Sequence, residues 1–151
     1  KVFGMSSKKP INGTRVWLVL GKAYQTFARM SREHIQSLGI GGVTDFAVLE
    51  LLLHKGPLPV NTIGKKLFLT SGSMTVAIDR LTMRGLVRRV AHPEDRRVIL
   101  VELTEAGRAL IEEAFAEHRE VMDEAFSALS GAERETLVRL LKKAGKAAVR
   151  E

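Results

Sequence analysis

The side chains best placed for chemistry lie in two stretches. The first is "HPEDRRVILVEL", His92 to Leu103, where Arg96 and Arg97 follow Pro93, Glu94 and Asp95 and precede a run dominated by bulky apolar residues. Pro93 and Asp95 suit a tight reversal, and Asp95 can hold an arginine by a charge-assisted hydrogen bond. The second is "TSGSMT", which sets the short hydroxyls of Thr70, Ser71, Ser73 and Thr75 around Gly72. Both stretches offer hydrogen bonds to an anion, and the first adds positive charge. Neither offers a nucleophile with a base beside it.

The rest of the chain points away from catalysis. It has no cysteine, which excludes a disulfide framework, cysteine-ligated zinc and a thiol switch. The four histidines, His34, His54, His92 and His118, lack metal-ligand spacing, and no GxSxG, phosphate loop or paired-carboxylate signature is present. We therefore expect no enzyme, no metal and no cofactor. "GIGG" at 39–42 looks like a fragment of a dinucleotide loop, but it follows a helix rather than a strand and reads as a helix stop.

At 151 residues the chain suits one elaborated domain. The most apolar segment, "FAVLELLL", is interrupted by Glu50 and falls short of the ~20 residues of a membrane span. With no secretion signal in view and no cysteine, the expected location is the cytoplasm. Residues 1–11 are expected to be disordered, in part as the remnant of a tag ahead of Met5. The net charge of +7 is unevenly spread. Residues 55–100 hold nine basic and three acidic side chains, a balance of +6, whereas 101–135 hold three and ten, a balance of −7. A basic middle on an acidic support suits a polyanionic partner.

The elements that must position these residues follow from periodicity. Val16, Leu20, Tyr24, Phe27, Met30, Ile35 and Leu38 predict a long helix over 12–38. Thr44 is expected to cap a second helix to His54, buried through Phe46, Leu49, Leu52 and Leu53. After "KGPLP", a short helix fits 60–67, with Val60, Ile63 and Leu67 inward and Lys65 and Lys66 outward. Thr70 or Ser71 then caps a helix to Arg84 whose inner stripe is Met74, Ala77, Ile78 and Leu81, ended by Gly85. "LVRRVAHPEDRRVILVEL" reads as strand, turn, strand, leaving open whether Val98, Leu100 and Leu103 or Ile99 and Val101 face inward. Thr104 caps a helix to Leu129, and Ser130 with Glu133 forms the capping box of a last helix. The fold class is mainly α with a small β-hairpin: a winged helix-turn-helix over 44–103, flanked by helical regions at 12–38 and 105–149.

This arrangement suits duplex DNA. The major groove is about 12 Å wide and admits one helix. A helix that enters it needs short polar groups at its leading turn, as Thr70, Ser71, Gly72, Ser73 and Thr75 supply. Val76 is expected outward, where it could meet a thymine methyl group, and Arg80, one turn on, could reach a phosphate or a base. Lys65, Lys66, Arg84 and Arg89 are expected phosphate contacts. The minor groove is narrow and negative, so an arginine on a thin hairpin can enter it. Arg96 and Arg97 alternate across the hairpin, so one can enter the groove while the other meets phosphate.

At these residues the chain resembles the MarR family of bacterial regulators. The family pattern "DRL…GLV.R", "P.DRR", "LTE.G" is matched from Asp79, Arg80 and Leu81 through Gly85, Leu86, Val87 and Arg89, then Pro93, Asp95, Arg96 and Arg97, then Leu103, Thr104, Glu105 and Gly107. The likeness spans roughly residues 12–149. It implies a dimer that binds a palindromic operator and usually represses nearby genes, with Asp95 and Arg97 as the wing pair. It also implies a small aromatic or phenolic effector, for which Tyr24, Phe27, His34, Phe46, Phe115 and His118 are candidate lining, each more readily read as plain core than as a ligand contact. The run "FAVLELLLHKGPLPVNTIGKKLFLTSGS" looks closest to the subgroup responsive to catechols and quinones, although members of that subgroup often use a cysteine that is absent here.

The end helices carry more apolar surface than one winged helix can cover, so Trp17, Leu18, Leu137, Leu141 and Ala144 are the expected homodimer contacts. The alternative is that both helices fold back onto their own domain. Two other functions fit the basic middle: an architectural DNA binder without sequence preference, and a winged helix used for protein contacts.

Overall fold

The computed structural model describes residues 10–149. The expectation of disorder over 1–11 therefore lies mostly outside the described residues; Pro10 and Ile11 are exposed and lead into the first helix. The order is α1 (Gly13–Ser37), α2 (Val43–Lys55), β1 (Leu58–Pro59), α3 (Val60–Leu67), α4 (Ser71–Met83), β2 (Val87–Ala91), β3 (Ile99–Leu103), α5 (Glu105–Ala125) and α6 (Gly131–Ala148). This is the expected mainly helical winged helix-turn-helix.

Several helix ends are set by the side chains the sequence singles out. Thr70 accepts from the Ser73 N–H and Thr104 from the Gly107 N–H. Ser130 and Glu133 complete a reciprocal capping box, which lowers the Glu133 pKa below the usual carboxylate range. Asn12 caps α1 by accepting from the Arg15 N–H. Thr44 is not a cap: α2 starts one residue earlier, with Gly42 at the N-cap position and no side-chain bond. Gly41 and Gly42 have φ of 118° and 137°, so the chain enters α2 through backbone that a side chain would strain. Helix α5 ends at Ala125 rather than near Leu129, with Phe126 as C-cap stacked on Phe27 at 4.3 Å.

The core sits inside the winged unit. Val48, Leu49 and Leu52 of α2 pack with Ile63, Met74, Ile78, Leu81, Val101 and Ile111. The sheet has a strand that the sequence reading missed. Leu58 and Pro59 pair antiparallel with Val101 and Leu100, giving the order β1-β3-β2. Pro59 fits because β1 is an edge strand. On β3 the buried residue is Val101, with Leu103 also against the core, while Ile99 is exposed. The inward set therefore combines members of both alternatives. Pairing of Val87 with Leu103 and Ala91 with Ile99 sets the hairpin register.

Gly107 explains the "LTE.G" stretch. A Cβ there would collide with the backbone carbonyl of Leu86, so only glycine lets α5 start this close to β2. The same corner is tied by Thr104, whose hydroxyl donates to the Gly85 carbonyl at 2.6 Å and whose N–H donates to that of Leu86 at 3.1 Å.

Candidate nucleic-acid interface

Helix α4 presents two faces. Met74, Ala77, Ile78 and Leu81 are buried, whereas Thr70, Ser71, Gly72, Ser73, Thr75 and Val76 are exposed at its leading end. Some of the hydroxyls are already engaged. The Thr70 hydroxyl donates to the Ser73 Oγ at 2.9 Å, and that of Thr75 to the Ser71 carbonyl at 3.0 Å. Ser73 acts as acceptor in its bond with Thr70, so its own hydroxyl proton remains free to offer. Lys65 and Lys66 lie exposed in the last turn of α3.

The hairpin tip is built as its chemistry requires. The His92 N–H donates to the Val98 carbonyl at 2.8 Å, and the Val98 N–H to that of Asp95 at 2.9 Å, closing the turn. Asp95 Oδ1 accepts from both the N–H and the Nε of Arg97, each at 3.1 Å. The Arg97 side chain and its backbone N–H hold the Asp95 carboxyl below the usual carboxylate range, so it stays ionised and keeps aiming the guanidinium. The Arg97 side chain is nevertheless 91% exposed, and Arg96 beside it is exposed as well. The tip is thus an oriented cation with most of its surface in solvent.

Three arginines expected to reach DNA make ion pairs within the chain. Arg80 forms a two-pronged pair with Asp45 of α2 through Nε and Nη2, which raises its pKa. Arg84 donates to the Ile40 carbonyl and lies 3.7 Å from Asp45. Arg89 bonds Asp79 at 2.6 Å. Arg88, on the same strand, pairs with Glu102 across the hairpin at 2.6 Å. The pairs of Arg80 and Arg84 lash α4 to α2 and that of Arg89 lashes it to the wing, while Arg88 ties the two wing strands together. Asp45, which is 0% exposed, is the residue that sequence reasoning passed over. Its only signal is an acid at the head of an apolar run. Gly41 leaves it room, since a Cβ there would strike both the Asp45 carboxyl and the Arg84 guanidinium.

The six candidate effector residues divide. His34 of α1 and His118 of α5 face each other, Nδ1 to Nδ1, at 3.1 Å, and Phe46 of α2 meets the His118 ring edge-on at 5.1 Å. His118 Nε2 is 3.3 Å from the Ser31 hydroxyl. Burial, and then the nearby His34, push the His118 pKa down from its usual value. Phe115 packs instead on His54, and Phe27 on Phe126. Tyr24 is exposed and stands apart from the cluster.

A helix with a polar leading turn beside an arginine-tipped hairpin is the geometry of a DNA-binding winged helix, and comparison with known proteins agrees. The sequence model of the MarR family matches residues 43–99. The HTH-type transcriptional regulator MhqR of Bacillus subtilis (strain 168) is 40% identical over 131 residues, covering 87% of this chain and 90% of the relative. This chain belongs to the MarR family. Members of that family are transcriptional regulators, not enzymes. Solved MarR-family structures share the fold. A mutant MarR of E. coli complexed with operator DNA matches with a TM-score of 0.73 and 28% identity over 85% of this chain and 92% of that one. BpsR of Bordetella bronchiseptica, whose DNA binding is regulated by 6-hydroxynicotinic acid, matches with a TM-score of 0.74 and 30% identity over 90% and 97%.

Proposed function

We propose that this MarR-family regulator works as a homodimeric repressor. It docks two α4 helices in successive major grooves of a palindromic operator and two Arg97 side chains in the flanking minor grooves. The observation that carries this reading is the outward polar turn of α4, Thr70 to Val76, beside an oriented and exposed Arg97. Ser73 and Val76 read base edges, Thr70, Ser71, Gly72 and Thr75 bring the helix start close to the backbone, and Lys65, Lys66 and Arg96 neutralise phosphates. Arg80, Arg84 and Arg89 act mainly by fixing the pose of α4.

Pairing of two copies is supported by the end helices. Trp17 and Leu18 of α1 and Leu137, Leu141 and Ala144 of α6 are exposed, and no residue of α6 is buried. Helix α1 packs its C-terminal half on α2 and α5, but its Trp17 end and α6 leave their apolar stripes uncovered within the chain, and a second copy is the natural cover for them. The recognition helices would then lie about one DNA turn, roughly 34 Å, apart.

Release by a small aromatic ligand is supported by the cluster of His34, Phe46 and His118, which joins α1, α2 and α5. A ligand carrying a hydroxyl could replace the contact between the two imidazoles and change the angle between the dimer helices and the winged unit. The ligand class proposed is a hydroxylated aromatic, a phenol of the catechol type or an aromatic acid.

The test is selection of duplexes from a random pool, followed by titration of the winner against random DNA. A specific regulator prefers one palindrome by about 10³-fold or more. Equal affinity for all duplexes would instead indicate an architectural binder, and no affinity for any duplex a protein-interaction module.

A further inference from the structure

Phe68 combines two features that disfavour it in the free protein. It is the C-cap of α3 with φ 55° and ψ 39°, and it is the one non-glycine residue with positive φ among the described residues. A bulky aromatic residue in the left-handed region is a backbone outlier, where glycine or asparagine would sit at lower cost. Its ring is also 96% exposed, so it gains nothing from the core. The position itself is well fixed. The Leu69 N–H donates to the Gly64 carbonyl at 2.9 Å, which closes α3 and turns the chain into Thr70, the cap of α4. The strained backbone therefore holds a phenyl ring outward, two residues before Thr70, the cap of the helix that enters the groove. Exposed Val76 gives the same unit a second apolar group.

From this placement we infer that Phe68 is a DNA-contacting residue that sequence patterns did not single out. The ring lies against the apolar edge of the duplex next to the leading turn of α4, covering deoxyribose carbons and the methyl group of a thymine at the groove margin. The inference rests on the DNA-docking reading given above. It adds an apolar contact to a surface otherwise built of hydroxyls and cations, and a preference for thymine at one flanking position of each half-site.

The two features make opposite demands when Phe68 is replaced by glycine. Glycine relieves the backbone, so the melting temperature of Phe68→Gly is expected to stay level or rise. It removes the ring, so affinity for the selected palindrome is expected to fall about tenfold. The slope of log affinity against log salt is expected to stay as in the parent, since no phosphate contact is lost. Phe68→Leu keeps an apolar group and is expected to lie between. The measurement is fluorescence anisotropy, run in parallel with Arg97→Ala. If Arg97→Ala weakens binding while Phe68→Gly binds like the parent, the Phe68 contact is refuted and the docking reading stands. If neither variant differs from the parent, both are refuted.

Discussion

Replacing Asp45 by asparagine keeps the size of the side chain but removes the charge that Arg80 and Arg84 share. Because Asp45 is fully buried while both arginines reach solvent, the cost is that of weakened charge-assisted bonds rather than of a stranded ion. Chemical denaturation should show a loss of about 2 kcal/mol, and operator affinity should fall even though position 45 touches no DNA. His118 makes a prediction about pH. Its pKa is lowered in the fold, so the unfolded chain takes up a proton more readily. Its contribution to stability is complete above about pH 6.5, the ordinary histidine value, and is lost as the pH falls below it. The Nδ1 atoms of His34 and His118 face each other, so the contact has room for a single shared hydrogen. Melting temperature followed from pH 7.5 to 5 should drop more steeply for the parent than for His118→Gln; parallel curves would remove His118 from the account. At the wing, Arg97→Ala should weaken operator binding by about ten- to a hundredfold without changing the melting temperature, since the side chain is 91% exposed and its ion pair with Asp95 lies at the surface.

At the level of elements, the junction of β2 with α5 is the place where one methyl group should matter most. Gly107→Ala would push a Cβ into the Leu86 carbonyl, a backbone atom that cannot rotate away. Calorimetry should show a loss of about 2 kcal/mol or more, whereas Gly131→Ala, with open space around it, should be close to neutral. The contrast between these two glycines also shows what a sequence carries. The stripes of α4 and the capping residues Thr70, Thr104 and Ser130 were legible because they depend on neighbours three or four positions away. The hairpin was legible because Pro93 and Asp95 are turn formers between apolar runs. Strand β1 was not, because Leu58 and Pro59 become a strand only through pairing with Val101 and Leu100, far along the chain. The ties of Arg80, Arg84 and Arg89 were hidden for the same reason. The net positive charge of residues 55–100 was real, but which cations face outward depends on tertiary neighbours such as Asp45.

For the whole molecule the decisive question is assembly. Leu141→Glu places a charge in the exposed stripe of α6, where no residue is buried within the chain. It should therefore leave the monomer folded, with unchanged far-ultraviolet dichroism, while shifting sedimentation toward the monomer. Loss of folding with no change in association would contradict the role given to α6. The basic surface makes a second demand: log affinity for DNA should decline linearly with log salt, by roughly 0.9 for each phosphate neutralised. Both predictions belong to the one proposed arrangement, a recognition helix and an arginine-tipped hairpin presented twice by paired copies. The most direct test is to titrate the chain into the selected palindrome and into a duplex holding only one half-site, reading stoichiometry by light scattering and affinity by anisotropy. The account predicts two chains per palindrome, and an affinity for the half-site about 10³-fold weaker, near the level of random DNA. One chain per palindrome, bound no more tightly than to the half-site, would contradict it.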